Sequence, residues 1–260
     1  MKASNDVMKA REIAAILEEF APLHTQESWD NAGFCVGSPE AEVHAVLVGF
    51  DCTEALVREA VERGADMIVT HHPLIFGGLK QIDPADPVGA AVCLAIRHDI
   101  VIYAAHTNAD KAAGGVNALM AARLGLVETE PLDESGLGFI GRLPEPMDGE
   151  AFCRYVKERF SLSVLRCSAP VAEVRRVGTS CGAGSSFADA AFAAGADAFV
   201  TGDVSYHHFF VPPGRMILDI GHYESEVEIV GKFVSVLQKK LPTFAVYTAI
   251  RDNNNPIYYF

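Results

Sequence analysis

Gly64-Ala65-Asp66-Met67-Ile68-Val69-Thr70-His71-His72-Pro73 is the stretch that decides the fold. Met67 to Thr70 is a short apolar run of strand length. Gly64 closes the segment before it, where Thr53 can cap a helix carrying Leu56, Val57, Ala60 and Val61. Pro73 stops the strand just after two adjacent histidines. Working outward, Val43 to Phe50 reads as the preceding strand. Pro87 to about His98 reads as the next helix, Ile100 to Ala105 as the next strand, and Val116 to Leu124 as the helix after that. Strands that alternate with helices imply a mostly parallel sheet with helical crossovers. Upstream, residues 6 to 20 form an amphipathic helical pattern: Ile13 and Leu17, like Ile16 and Phe20, are four apart, and Pro22 follows.

The stretch has a second copy. Gly195-Ala196-Asp197-Ala198-Phe199-Val200-Thr201 repeats Gly64-Ala65-Asp66-Met67-Ile68-Val69-Thr70 at a fixed offset of 131 residues. The pattern predicts two related α/β halves, residues 1–130 and 131–260; a common helix-to-strand turn used twice is the plainer alternative. Residues 126–148, with Pro131, Pro144, Pro146 and glycines at 136, 138 and 141, read as the seam between them. In the second half, 150–160, 186–194 and a long segment from Glu224 to Lys240 read as helical. Residues 163–167, 174–180, 198–201, 215–220 and Thr243 to Ile250 read as extended.

A chain of 260 residues, half of them hydrophobic and 21% charged, can bury a core. A formal charge of −13 disfavours binding to phosphate backbones, so no nucleic-acid partner is expected. The charged N-terminal segment (Lys9, Arg11, Glu12, Glu18, Glu19) lacks the apolar stretch of a signal peptide, and every apolar run is too short to span a bilayer. A cytoplasmic location follows as an expectation. Six cysteines without a CxxC pair fit a reducing compartment and no disulfide framework.

Six of the nine histidines (His71, His72, His106, His207, His208 and His222) fall at or just after predicted strand ends, near Asp110, Asp203, Asp219 and Glu226. In parallel α/β sheets, ligands bind at that edge. Adjacent strand residues point to opposite faces, so His71 and His72 suit two metal ions better than one. His222 and Glu226, four apart on a helix, converge on one face. By itself Glu226 reads better as a helix-dipole residue, and Asp110 equally as the Asx turn that opens a helix. Gly182-Ala183-Gly184 reads as a tight turn, with anion binding the weaker alternative, and Trp29 as a stacking surface or a half-buried loop anchor.

The motifs together resemble the NIF-three-like dinuclear-metal-centre family, often labelled GTP cyclohydrolase I type 2 homologue. They are Glu27-Ser28-Trp29-Asp30-Asn31-Ala32-Gly33, Thr70-His71-His72-Pro73-Leu74-Ile75-Phe76, His106-Thr107-Asn108-Ala109-Asp110, Gly114-Gly115-Val116-Asn117, Thr201-Gly202-Asp203 and Gly221-His222-Tyr223-Glu224-Ser225-Glu226. The resemblance runs from end to end and matches the short form of the family, without an inserted domain. It implies two divalent metal ions held between the halves by His71, His72, Asp110, His222 and Glu226, in a toroidal homohexamer. Iron, zinc, manganese and nickel all suit such a donor set. A metal-dependent hydrolase follows, with a metal-activated water attacking a nucleotide or related small molecule and His106 or His207 as general acid or base. The alternatives are a non-catalytic protein that stores, senses or delivers metal, and a protein-interaction scaffold.

Overall fold

A computed structural model describes residues 7–250 and 255–260. The elements follow in chain order: β1 (Met8–Lys9), α1 (Ala10–Phe20), β2 (Gly33–Val36), β3 (Glu42–Val43), β4 (Ala45–Val48), α2 (Glu54–Arg63), β5 (Met67–Thr70) and α3 (Pro87–Arg97). Next come β6 (Val101–Ala104), α4 (Thr107–Lys111), α5 (Val116–Arg123), β7 (Val127–Pro131), β8 (Phe139–Met147), α6 (Gly149–Arg159) and β9 (Arg166–Cys167). The rest are β10 (Val174–Thr179), α7 (Ala188–Ala193), β11 (Ala198–Thr201), β12 (Met216–Asp219), α8 (His222–Glu226), α9 (Glu228–Lys240) and β13 (Ala245–Thr248).

These elements pack as two compact units. One holds the described residues up to Ala112 together with Ile229 to Ile250; the other holds Ala113–Glu228 and Asn255–Phe260. The packing division therefore differs from the cut at 130/131 read from the sequence. The last strand explains part of the difference, because β13 runs parallel to β4 in the first unit's sheet. The seam expected at 126–148 is itself sheet: β7 and β8 pair antiparallel. Pro144 and Pro146 fit because they lie in the irregular stretch between Arg142 and Met147, outside the registered pairs with β10. Helix α1 begins at Ala10, since Met8 and Lys9 pair with Val43 and Glu42; Asp6, where the expected helix starts, lies outside the described residues.

The first unit's sheet has the order β13-β4-β5-β6-β2, parallel except for β2, a strand for which the sequence reading assigned no element. Thr53 Oγ1 accepts from Leu56 N–H and caps α2, and Gly64 ends it in the left-handed conformation, as expected. Asp86 caps α3 by accepting from the N–H groups of Val88 and Gly89. Leu47, Leu56, Val57, Ala60, Ile68, Ala91, Val92 and Ile102 form the core between strands and helices. Each fully buried aliphatic side chain contributes roughly 1.5–3 kcal/mol.

The second unit's sheet has the order β7-β8-β10-β11-β12-β9, with β10, β11 and β12 parallel and the outer strands antiparallel. The repeat seen in the sequence is a repeat in hydrogen bonding. Val46 pairs with Met67 and Val177 with Ala198, both shifted by the same 131 residues. Asp66 Oδ2 accepts from the N–H groups of His44 and Ala45, and Asp197 Oδ2 accepts from those of Arg175 and Arg176. Ala65 N–H donates to Ala60 O, and Ala196 N–H to Ala191 O. A shared turn type alone would not reproduce the strand register as well.

Candidate metal centre

In the first unit, β5 ends at Thr70 and the next two N–H groups, of His71 and His72, both donate to Phe50 O at 3.1 and 3.3 Å. Thr70 Oγ1 donates to His72 O at 2.8 Å. The turn that presents the histidine pair is therefore tied to the neighbouring strand end. His71 is fully buried, stacked on Phe50, and its Nδ1 lies 3.0 Å from Ala105 O. A carbonyl can only accept, so Nδ1 carries the proton and Nε2 the lone pair. His72 Nδ1 lies 2.7 Å from Asp51 Oδ1, which sets the same tautomer.

Strand β6 leads through Ala105 to His106 and then to α4. His106 Nδ1 sits 2.7 Å from Asp30 Oδ1, while Asp30 Oδ2 accepts from Thr107 N–H and Oγ1–H at 3.1 and 2.5 Å. Burial raises the Asp30 pKa, but hydrogen bonds from His106 and Thr107 outweigh it and hold the carboxyl at about 2. One turn of α4 brings Asp110, also buried, to 3.5 Å between its Oδ1 and His71 Nε2. Ligand-capable nitrogens of His71, His72 and His106 lie within 4.8 Å of one another. Trp29 and Phe76, each more than half exposed, stand beside His106 with ring centroids at 6.4 and 5.9 Å.

In the second unit, β12 leads to Gly221 and α8. The long helix expected from Glu224 is two helices, and His222 and Glu226 share the short first one. Their four-residue spacing still aligns them: His222 Nε2 is 3.0 Å from Glu226 Oε2. His222 Nδ1 lies 2.8 Å from Asp203 Oδ2, the same arrangement again. Gly182, at φ +55°, runs directly beneath; a Cβ there would lie 2.4 Å from Glu226 Oε1. Gly202 lies so close to the backbone of Gly221 and His222 that a Cβ would approach within 2.8 Å. The Gly182 segment is thus a close-packed turn, the reading favoured from the sequence.

Four histidines, His71, His72, His106 and His222, each have Nδ1 fixed on an oxygen acceptor, three times a carboxylate. This is the arrangement that orients and strengthens imidazole ligands. With the hard oxygens of Asp110 and Glu226, the donor chemistry fits borderline divalent ions. Sequence reading assigned no role to the orienting residues Asp30, Asp51 and Asp203. His207 is not gathered with these groups. It lies exposed on the 3₁₀ turn Tyr206–Phe209, its ring against Tyr206 and Phe210. His208 Nδ1 is engaged by Ser205 Oγ at 2.8 Å. No helix among the described residues is long and apolar enough to cross a membrane.

The chain is similar to known proteins along nearly its whole length. A family model described as Duf34/NIF3 (NGG1p interacting factor 3) matches residues 8–256. A Clostridium perfringens protein named GTP cyclohydrolase 1 type 2 homolog is 32% identical over 258 residues, covering 96% of this chain and 98% of its own length. A hypothetical protein from Staphylococcus aureus of known crystal structure superposes with a TM-score of 0.88 at 27% identity, covering 98% of this chain and all of that one. A Bacillus cereus protein related to NIF3 superposes at 0.90 with 24% identity over 98% of this chain and all of its own, a likeness of fold.

Proposed function

The chain belongs to the Duf34/NIF3 family, and from that premise we propose that it is a dinuclear metal-dependent hydrolase acting on a nucleotide or a similar small molecule. In this reading His71, His72, Asp110, His222 and Glu226 hold two divalent ions. The observation that carries it is the set of histidines whose Nδ1 atoms are fixed on oxygen, which places the basic lone pair on Nε2. Ions held there would supply a water whose pKa falls from about 15.7 toward 7, available as a nucleophile near neutral pH.

The chain's own groups do the rest. His106, locked by Asp30, offers Nε2 to accept or return a proton at the reacting centre. The negative Asp30 stabilises the imidazolium formed in between. Trp29 and Phe76 flank His106 with exposed faces, which suits a planar heterocycle stacked beside the proton-transfer group. His207 has no part in this account. The relatives' name supports a purine nucleotide such as GTP as the first substrate to test.

The test is hydrolysis of GTP, other nucleotides and simple phosphoesters, measured before and after chelation and again after metal is restored. A chelator-sensitive, metal-restored turnover supports the hydrolase. A metal-loaded protein that turns over none of them, with metal that exchanges readily, supports metal handling instead.

A further inference from the structure

Cys153 and Cys167 are thiols in contact: Cys153 S–H donates to Cys167 Sγ across 3.7 Å. Cys153 is half-buried on α6, and Cys167 is exposed on β9, the edge strand of its sheet. A disulfide needs about 2.05 Å, so the sulfurs need only close by a side-chain rotation and a small strand movement. The edge position allows that movement, since β9 is held on one side only, by Leu218↔Cys167 and Asp219↔Arg166.

We propose that Cys153 and Cys167 form a thiol redox site that closes a reversible disulfide in response to hydroperoxides. Cys167 is the residue oxidised first, being exposed and receiving the hydrogen bond from its neighbour. Its thiolate attacks the peroxide, the O–O bond breaks, and Cys167 becomes a sulfenic acid as the alkoxide or hydroxide leaves and takes up a proton. Cys153 sulfur then displaces the sulfenic oxygen as water. In sum two thiols and one hydroperoxide give one disulfide, one alcohol (or water) and one water, with two electrons passing from sulfur to the O–O bond. Burial and the Cys167 sulfur push the Cys153 thiol up to about 12, which keeps it the protonated donor of the pair and leaves Cys167 as the sulfur oxidised first.

The site bears on the rest of the unit through Arg166, next to Cys167. Its guanidinium engages Asp219 and the carbonyl of Val204, at 3.0 Å for the latter. Asp219 in turn accepts from Val204 N–H and Gly221 N–H, both at 3.0 Å, beside Asp203 and His222. Strain placed on β9 therefore reaches the segments that carry His222 and its orienting carboxylate.

The test uses the full-length native protein, treated with a few equivalents of hydrogen peroxide, alkylated and digested with trypsin without reductant. The expected product is residues 143–154 linked to 167–175, with the two thiol hydrogens lost, two of the six cysteines no longer alkylated, and recovery on adding dithiothreitol. Cys153→Ser should leave a sulfenic acid at Cys167 that dimedone traps. Oxidation of either cysteine to separate sulfinic or sulfonic acids, or peroxide-treated protein with both thiols still alkylatable, would overturn the proposal. So would a Cys153→Ser protein that forms no dimedone adduct at Cys167.

Discussion

Gly182→Ala is the most informative single change. Two terms apply, and a second glycine separates them. Gly182 sits at φ +55°, where an L-residue costs about 1–2 kcal/mol. Gly64 sits at φ +66° with nothing within 4 Å of its would-be Cβ, so Gly64→Ala feels that backbone cost alone. The same exchange stiffens the unfolded chain and returns about 0.4–1 kcal/mol, leaving a net loss near 1 kcal/mol or less. At Gly182 the new methyl also meets Glu226 Oε1 at 2.4 Å, and the carboxylate must retreat to at least 3.0 Å. Overpacking of this kind costs about 1–3 kcal/mol more. At roughly 2–4 °C per kcal/mol for a chain of this size, metal-free Gly182→Ala should melt about 4–16 °C lower than the parent, and Gly64→Ala within a few degrees of it. Circular-dichroism melts under chelator read this term. Metal content reads the other, because the retreat exceeds the ~0.2 Å tolerance of ligand distances: Gly182→Ala should lose metal and Gly64→Ala should not. Equal melting of the two variants with unchanged metal content would refute the reasoning that Gly182 packs against a functional carboxylate.

Other consequences are as direct. The Asp30 carboxyl is held at about 2 against an ordinary 3.8, so its contribution is complete above about pH 4 and is lost as pH falls toward 2; a shift of that size corresponds to roughly 2 kcal/mol. Asp30→Asn should therefore be less stable than the parent at pH 7 by up to that amount and should converge with it near pH 2, as urea midpoints across pH would show; parallel pH profiles would count against it. Asp51→Ala, which removes the acceptor on His72 Nδ1, should weaken metal binding roughly 10–100-fold in competition with a chelator while leaving the melt of the metal-free protein within a few degrees. His207→Ala should change stability by less than about 0.5 kcal/mol and leave metal content and any turnover as they were; a loss of turnover would return His207 to the catalytic role the sequence suggested.

The sequence made the parallel βαβ core legible because its signals are local. The Thr53 cap, the Gly64 stop and the apolar runs of β4, β5 and β6 are each settled within a few residues, and the offset of 131 linked Asp66 to Asp197 before their matching hydrogen bonds were visible. Strand β2 was missed because its pairing with β6 depends on residues 33–36 meeting residues some 70 positions away. The packing division after Ala112 was not readable for the same reason: nothing near Ala245 says that β13 returns to β4. At the candidate centre, histidines at strand ends were readable from position alone. The carboxylates behind them were not, since Asp30 reaches His106 across 76 residues and Asp51 reaches His72 across 21. The exposed position of His207 was not readable, because a histidine after a strand end looks alike in sequence whether its turn carries it inward or out to solvent.

The central claim is that this chain holds a pair of divalent ions through His71, His72, Asp110, His222 and Glu226. Elemental analysis of gently purified protein, beside Asp110→Ala and His222→Ala and after readdition of metal, tests it most directly. The account predicts two ions per chain in the parent and a reduced content in each variant that excess metal does not restore. A parent that takes up no metal on readdition, or variants as fully loaded as the parent, would contradict it.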